Sequence, residues 1–228
     1  MAVTFVAAGA LAANDTTTTL DIVAPTLSVD DIMIATILNK DVQTVTAPAG
    51  WTKFVESNNT PNQRVTIAWK RAVSGDSGAT FSFTKPLDNN ILFCGVISAW
   101  RGALTSATPI DATAPSIDPA AAAADVVDYA DFDPTETVAF VIAVGVYNED
   151  ATAPGAVSGT NPTFTLNVDL ETPTGTDGSI FISSGDSNGA ATGARTQASN
   201  STTDAINIGT LFGLIAAPGG FTVPGFMT

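Results

Sequence analysis

Short apolar runs separated by turn clusters fill most of this chain, and their spacing is that of strands rather than helices. The runs that read as strands are Val3–Ala8, Thr18–Val23, Asp31–Leu38, Trp51–Glu56, Arg64–Ala72, Ala79–Thr84 and Ile91–Trp100, then Val126–Tyr129, Thr137–Tyr147, Thr163–Asp169, Gly178–Ser183 and Ile206–Ala216. Between them lie "APAG", "SNNTPNQ", "SGDSG", "LDNN", "NEDATAPG" and "TPTGTDG", rich in the residues that make turns. Ile91–Trp100 and Ile206–Ala216 are apolar at nearly every position, which predicts central strands covered on both faces. The one helix-like stretch, "DPAAAAADVV" (Asp118–Val127), has no apolar face and reads as a single turn or a loop.

Several strings recur in order. "DIMIATIL" from Asp31 resembles "TVAFVIAV" from Thr137, "SGDSGA" from Ser74 resembles "SGDSNGA" from Ser184, and "LFCGVISAW" from Leu92 resembles "TLFGLIAAP" from Thr210. In the last pair Gly95 falls on Gly213. This order predicts two related halves. One half alone would leave a sheet face uncovered, so the halves are expected to supply the two sheets of one sandwich. The predicted fold is all-β: an antiparallel, jelly-roll-like β-sandwich over residues 1–217, followed by an extended C-terminal arm over residues 218–228. The arm, "PGGFTVPGFMT", carries no charge. Its Phe221, Val223, Phe226 and Met227 are the candidate partner-binding residues, because a disordered tail is ordinarily polar and charged.

Composition narrows the function. The net charge is −14, from 8 Lys and Arg against 22 Asp and Glu. Phosphate contacts need cations, so neither nucleic acid nor an anionic membrane surface is an expected partner. Seven of the eight basic residues lie between Lys40 and Arg101, and thirteen acidic residues with no base lie between Gly102 and Ala194. Such asymmetry reads either as a solvated acidic face or as two edges able to pair between copies. The opening "MAVTFVAAGALAAND" has no basic leader region and alternates like a strand, so it reads as structure rather than a secretion signal.

The chemistry of the chain is sparse. It has no histidine, so no Ser-His-Asp triad, Cys-His pair or His-ligated metal can form. Cys94, the single cysteine, sits in an apolar run and reads as core packing. The adjacent Asp30 and Asp31 point to opposite faces of a strand and read as a blunted strand start. Asp128, Asp131, Asp133 and Glu136 lack the spacing of a calcium loop and read as a solvated acidic loop. The Ser-Gly-Asp strings lack the lysine and helix start of a phosphate cradle and read as hairpin turns. Trp51, Trp69 and Trp100 read as core or core-edge groups. No cofactor or metal is expected.

The strings "APAGWTKF", "RVTIAWKRAVSGDSGATFSFT", "ISAWRGALTSATPID" and "GAATGARTQAS" together resemble a β-sandwich domain common in tailed-phage genomes. The likeness spans roughly residues 28–215. It implies a virion component that is tail-associated, fibre-associated or head-decorating, and it carries no catalytic residues. The expected function is therefore a non-enzymatic virion protein that decorates or cements the capsid. Its expected partners are the major capsid protein and copies of itself, as a trimer, on a virion assembled in the host cytoplasm. The alternative is a tail or receptor-binding protein with a lectin-like carbohydrate face.

Overall fold

The structure, a computed structural model, describes residues 2–59, 63–87, 91–111, 113–118, 126–135, 139–149, 157–172, 177–187, 189–198 and 207–218. The chain is an all-β, sandwich-like protein of antiparallel sheets. The first half supplies β1 (Thr4–Ala8), β2 (Ala12–Asn14), β3 (Thr19–Val23), β4 (Ile32–Asn39), β5 (Thr52–Asn59), β6 (Gln63–Arg71), β7 (Thr80–Thr84) and β8 (Phe93–Arg101). The second supplies β9 (Ser116–Asp118), β10 (Val126–Tyr129), β11 (Ala139–Tyr147), β12 (Thr165–Glu171), β13 (Ser179–Asp186), β14 (Arg195–Ala198) and β15 (Asn207–Ile215).

Each half forms one large sheet and one two-stranded ribbon. The large sheets run β1-β8-β4-β6-β5, with β2 continuing the β1 edge along β8, and β12-β13-β11-β15-β9. The ribbons are β3-β7 and β10-β14. The two orders are the same order: β4 lies between β6 and β8 as β11 lies between β13 and β15, and β5 flanks β6 as β12 flanks β13. Even a local irregularity is repeated. The bulge between Lys53 and Val55 in β5 has its counterpart between Leu166 and Val168 in β12. The halves are thus two copies of one topology.

The layering explains the long apolar runs. Even-numbered residues of β4 and β8, such as Ile34, Val96 and Trp100, share one core with Ile142, Val144, Ile182 and Phe212 of the second half. Odd-numbered residues of the same strands, such as Met33 and Ile37, pack under the β3-β7 ribbon with Leu20, Ile22 and Phe83. Val141, Ala143, Phe181 and Leu211 likewise pack under the β10-β14 ribbon with Val127 and Tyr129. The halves do supply two facing sheets, as expected, but each sheet also carries its own outer ribbon, so the molecule has four layers. Because the central core draws on both halves, fragments 1–115 and 120–228 are each expected to give a collapsed amide NMR spectrum. A dispersed spectrum from either fragment alone would show that the shared core is dispensable.

The sequence overlay of the repeats needs correction in register. Strand ends place Phe93–Arg101 over Asn207–Ile215, which puts Gly95 on Gly209 rather than on Gly213. The two glycines do the same work. A Cβ on Gly95 would lie 2.9 Å from Ile22 in β3, and one on Gly209 would lie 1.9 Å from the carbonyl oxygen of Asp128 in β10. Each is where a ribbon crosses its sheet at close range. "SGDSGA" forms the expected turn, with Gly75 and Gly78 at positive φ. Ser184, Gly185 and Asp186, however, belong to β13, and the turn comes after them. In the helix-like stretch, Asp118 ends β9 and Val126 begins β10, while residues 119–125 lie outside the described residues. The strands the pattern did not announce are β2, β9 and β14, all short; β14 is polar, with Gln197 turned into the core.

Candidate functional site

All eight basic side chains are engaged within the fold. Lys40, just beyond β4, donates to the carbonyls of Asn148 (2.5 Å) and Asp177 (3.0 Å) and so ties the first half to the second. Arg71 donates to the carbonyls of Leu104 and Ala107 in the connection between the halves. Lys53 and Arg64 both reach Glu56. Lys70 pairs with Asp76, whose carboxylate also accepts from the amide of Val73. Lys85 donates to the carbonyl of Ile91, and Arg195 to that of Asn161. Arg101 grips Asp31 with two hydrogen bonds, from Nε (2.8 Å) and Nη2 (2.7 Å). Each cation thus has a partner within the fold, although about half of the Arg101 side chain stays exposed.

The Asp31–Arg101 pair was not legible in sequence. Asp30 takes a left-handed conformation, φ 70°, which turns its own side chain to solvent and sends Asp31 inward. Asp31 also accepts from the amide of Ser28. The apparent strand-blunting pair is therefore one exposed carboxylate and one buried, bidentate anchor. Only the register of β4 against β8, Ile32 opposite Trp100, brings Arg101 to it.

Three buried titratable groups are held in fixed states. Burial pushes the Cys94 thiol up to about 12. Burial, followed by Tyr147, pushes the Tyr129 phenol well above its ordinary value, and that phenol donates to Gln197 (2.5 Å). For Asp111, burial acts to raise the pKa, but hydrogen bonds from Thr113 and Thr135 outweigh it and hold the carboxyl below the usual range. A thiol and a phenol locked neutral and a carboxylate saturated with donors have no proton to exchange near neutrality. Among the described residues no three His, Cys, Asp or Glu groups gather as metal ligands. In the acidic loop Asp131 accepts from the amide of Gly193 (2.7 Å), and Glu136 lies outside the described residues.

The Asp111 anchor has a pH signature. Its folded-state pKa lies below the unfolded value, so its contribution is full above the unfolded pKa and is lost as pH falls through the folded one. Urea midpoints of the wild type and Asp111→Asn are expected to differ most at neutral pH and to converge as pH falls below the ordinary aspartate range. A constant difference across that range would mean that the charge of Asp111 does not matter.

One groove combines aromatic, hydroxyl and carboxylate groups. Thr52 of β5 pairs with Trp69 of β6, and the bulge between Lys53 and Val55 sets Phe54 beside them, its ring 4.9 Å from that of Phe212. The opposite wall is formed by Thr108, Ile110, Asp111, Thr113, Ala114 and Pro115, held to β15 by Ile110 opposite Leu214 and by the Asp111 amide on the carbonyl of Gly213. The groove's volume is about 420 Å³. Trp51 and Trp100 are buried as expected, whereas Trp69 is partly exposed in this groove. A second recess of about 290 Å³ lies between β12 and β1, and Asn167 is one of its lining residues. In β12 and β13 Thr165 pairs with Ser184 as Thr52 pairs with Trp69 in β5 and β6, and Asn167 takes the bulge position of Phe54.

The chain is thus an all-β, four-layer antiparallel sandwich-like protein of two repeated halves, with a net charge of −14 and a partner within the fold for each cation. No family model, curated protein or solved structure matches the chain.

Proposed function

We propose that the chain is a non-enzymatic structural subunit of a tailed-phage virion that decorates or cements the capsid. The observation that carries this reading is the disposition of charge. Every cation has a partner within the fold, and a net charge of −14 suits solubility at high copy number and not nucleic acid. The sequence strings that resemble the tailed-phage domain support the same reading. So does the chemistry of the C-terminal segment, whose Phe221, Val223, Phe226 and Met227 are apolar in an otherwise acidic chain. These four residues lie outside the described residues. In this reading they contact the major capsid protein or a neighbouring copy, within a homo-oligomer such as a trimer.

Cryo-EM of particles produced from the encoding genome tests the assignment: density for the subunit at regular head-lattice positions supports it, and absence from purified particles overturns it. Deletion of Phe221–Thr228 is expected to leave a folded sandwich with an unchanged circular dichroism spectrum that no longer joins particles. Wild-type occupancy after the deletion would show that the segment is not the anchor.

A further inference from the structure

We propose that the groove floored by Phe54 and Trp69 binds a neutral carbohydrate. The two halves supply the argument. Both β5 and β12 make the same bulge at the same place, one with Phe54 and the other with Asn167. The strand pairing beside it sets Trp69 in one half and Ser184 in the other. The topology therefore requires no aromatic at either position. In the second half Ser184 donates to Asn167 (2.6 Å), and these two polar groups satisfy each other. In the first half the equivalent positions hold two rings, and Trp69 remains partly exposed although the other two tryptophans are buried.

The lining selects the ligand class. The rings of Phe54 and Trp69 offer flat apolar surface to the C–H face of a pyranose, and the exposed Thr52 and Thr108 bring hydroxyls to the rim. No cation lines the groove. Its one carboxylate, Asp111, is buried and already accepts from the Thr113 amide and from the amide and hydroxyl of Thr135. A charged ligand would thus find no partner, and the chain's net charge of −14 opposes an anionic glycan. The volume of about 420 Å³ falls within the roughly 300–1,000 Å³ range of small-ligand sites. The inference is independent of the virion assignment: sugar binding and head-lattice density are separate readouts, and either can fail alone.

The test is an NMR titration of the full chain, following the three tryptophan indole N–H signals, with Trp69 assigned through Trp69→Phe. The probes are neutral hexasaccharides of the malto-, cello-, manno- and galacto-series, with hexagalacturonate as the anionic comparator. A saturable shift of the Trp69 indole with at least one neutral series, at least about tenfold weaker binding by Trp69→Ala, and no response to hexagalacturonate are expected. Trp69→Phe, which keeps a ring, is expected to retain more affinity than Trp69→Ala at an unchanged urea midpoint. The absence of a Trp69 shift with every neutral probe, or equal binding by Trp69→Ala, overturns the proposal. So do shifts that map instead to the recess between β12 and β1.

Discussion

Replacing Gly209 with valine is expected to cost at least about 3 kcal/mol of stability, read as a lower urea midpoint. Gly209 sits in β15, a central strand of the second sheet, on the face covered by the β10-β14 ribbon. A Cβ there would lie 1.9 Å from the carbonyl oxygen of Asp128 and 3.0 Å from the ring of Tyr129. The obstacle is backbone, so no rotamer change relieves it. β10 must lift, and it carries Val127 and Tyr129 out of the outer core. Gly213, on the same strand face, offers a graded comparison. Its Cβ would meet the Asp111 side chain at 2.9 Å and the Phe132 ring at 3.4 Å, both side-chain contacts, so Gly213→Ala is expected to cost less than Gly209→Ala. Near-wild-type stability for Gly209→Val would mean that the ribbon is not seated on the sheet.

Trp100→Ala is expected to cost about 3–5 kcal/mol, the usual range for deleting a buried large aromatic. Trp100 is fully buried in the central core. Its ring lies 5.2 Å from that of Phe5 and 5.8 Å from that of Phe140, which belongs to the second half. Its indole N–H donates to the hydroxyl of Ser98 at 3.0 Å, so the polar edge is satisfied. Trp100→Phe keeps most of the apolar volume but leaves Ser98 without that donor, and a smaller loss of about 1–2 kcal/mol is expected. Because Trp100 touches both halves, the alanine variant is expected to lower one common unfolding midpoint, followed at once by circular dichroism and by Trp51 fluorescence. Two separated transitions would show that the halves unfold independently and that the central core does not couple them.

Much of this architecture was legible along the chain. Alternation and length marked the strands, and the runs apolar at nearly every position marked β8 and β15 as buried on both faces. The same property hid their register. A strand buried on both faces has no polar position to fix its phase, so "LFCGVISAW" slides along "TLFGLIAAP" with little penalty, and the glycine match misled by four residues. β14 was hidden for the opposite reason. "RTQA" is polar, and its place in a ribbon is decided by β10 and by the Tyr129–Gln197 hydrogen bond.

The candidate site was less legible. Trp69 reads as core edge in sequence because it lies in an alternating run, and nothing local says that Thr108, Ile110 and Pro115 stand off from it. Asp31 and Arg101 are seventy residues apart, and one residue of slip between β4 and β8 would separate them.

Composition and periodicity within single strands are enough to specify an all-β chain with two similar halves, an acidic balance, no histidine and an apolar setting for Cys94. The four layers, the pairing of equivalent glycines, the partners of the cations and the different residues at the two equivalent bulges emerge only in the folded chain. Those depend on which residues a sheet register and a facing layer bring together across long stretches of chain, and local pattern carries no record of that distance.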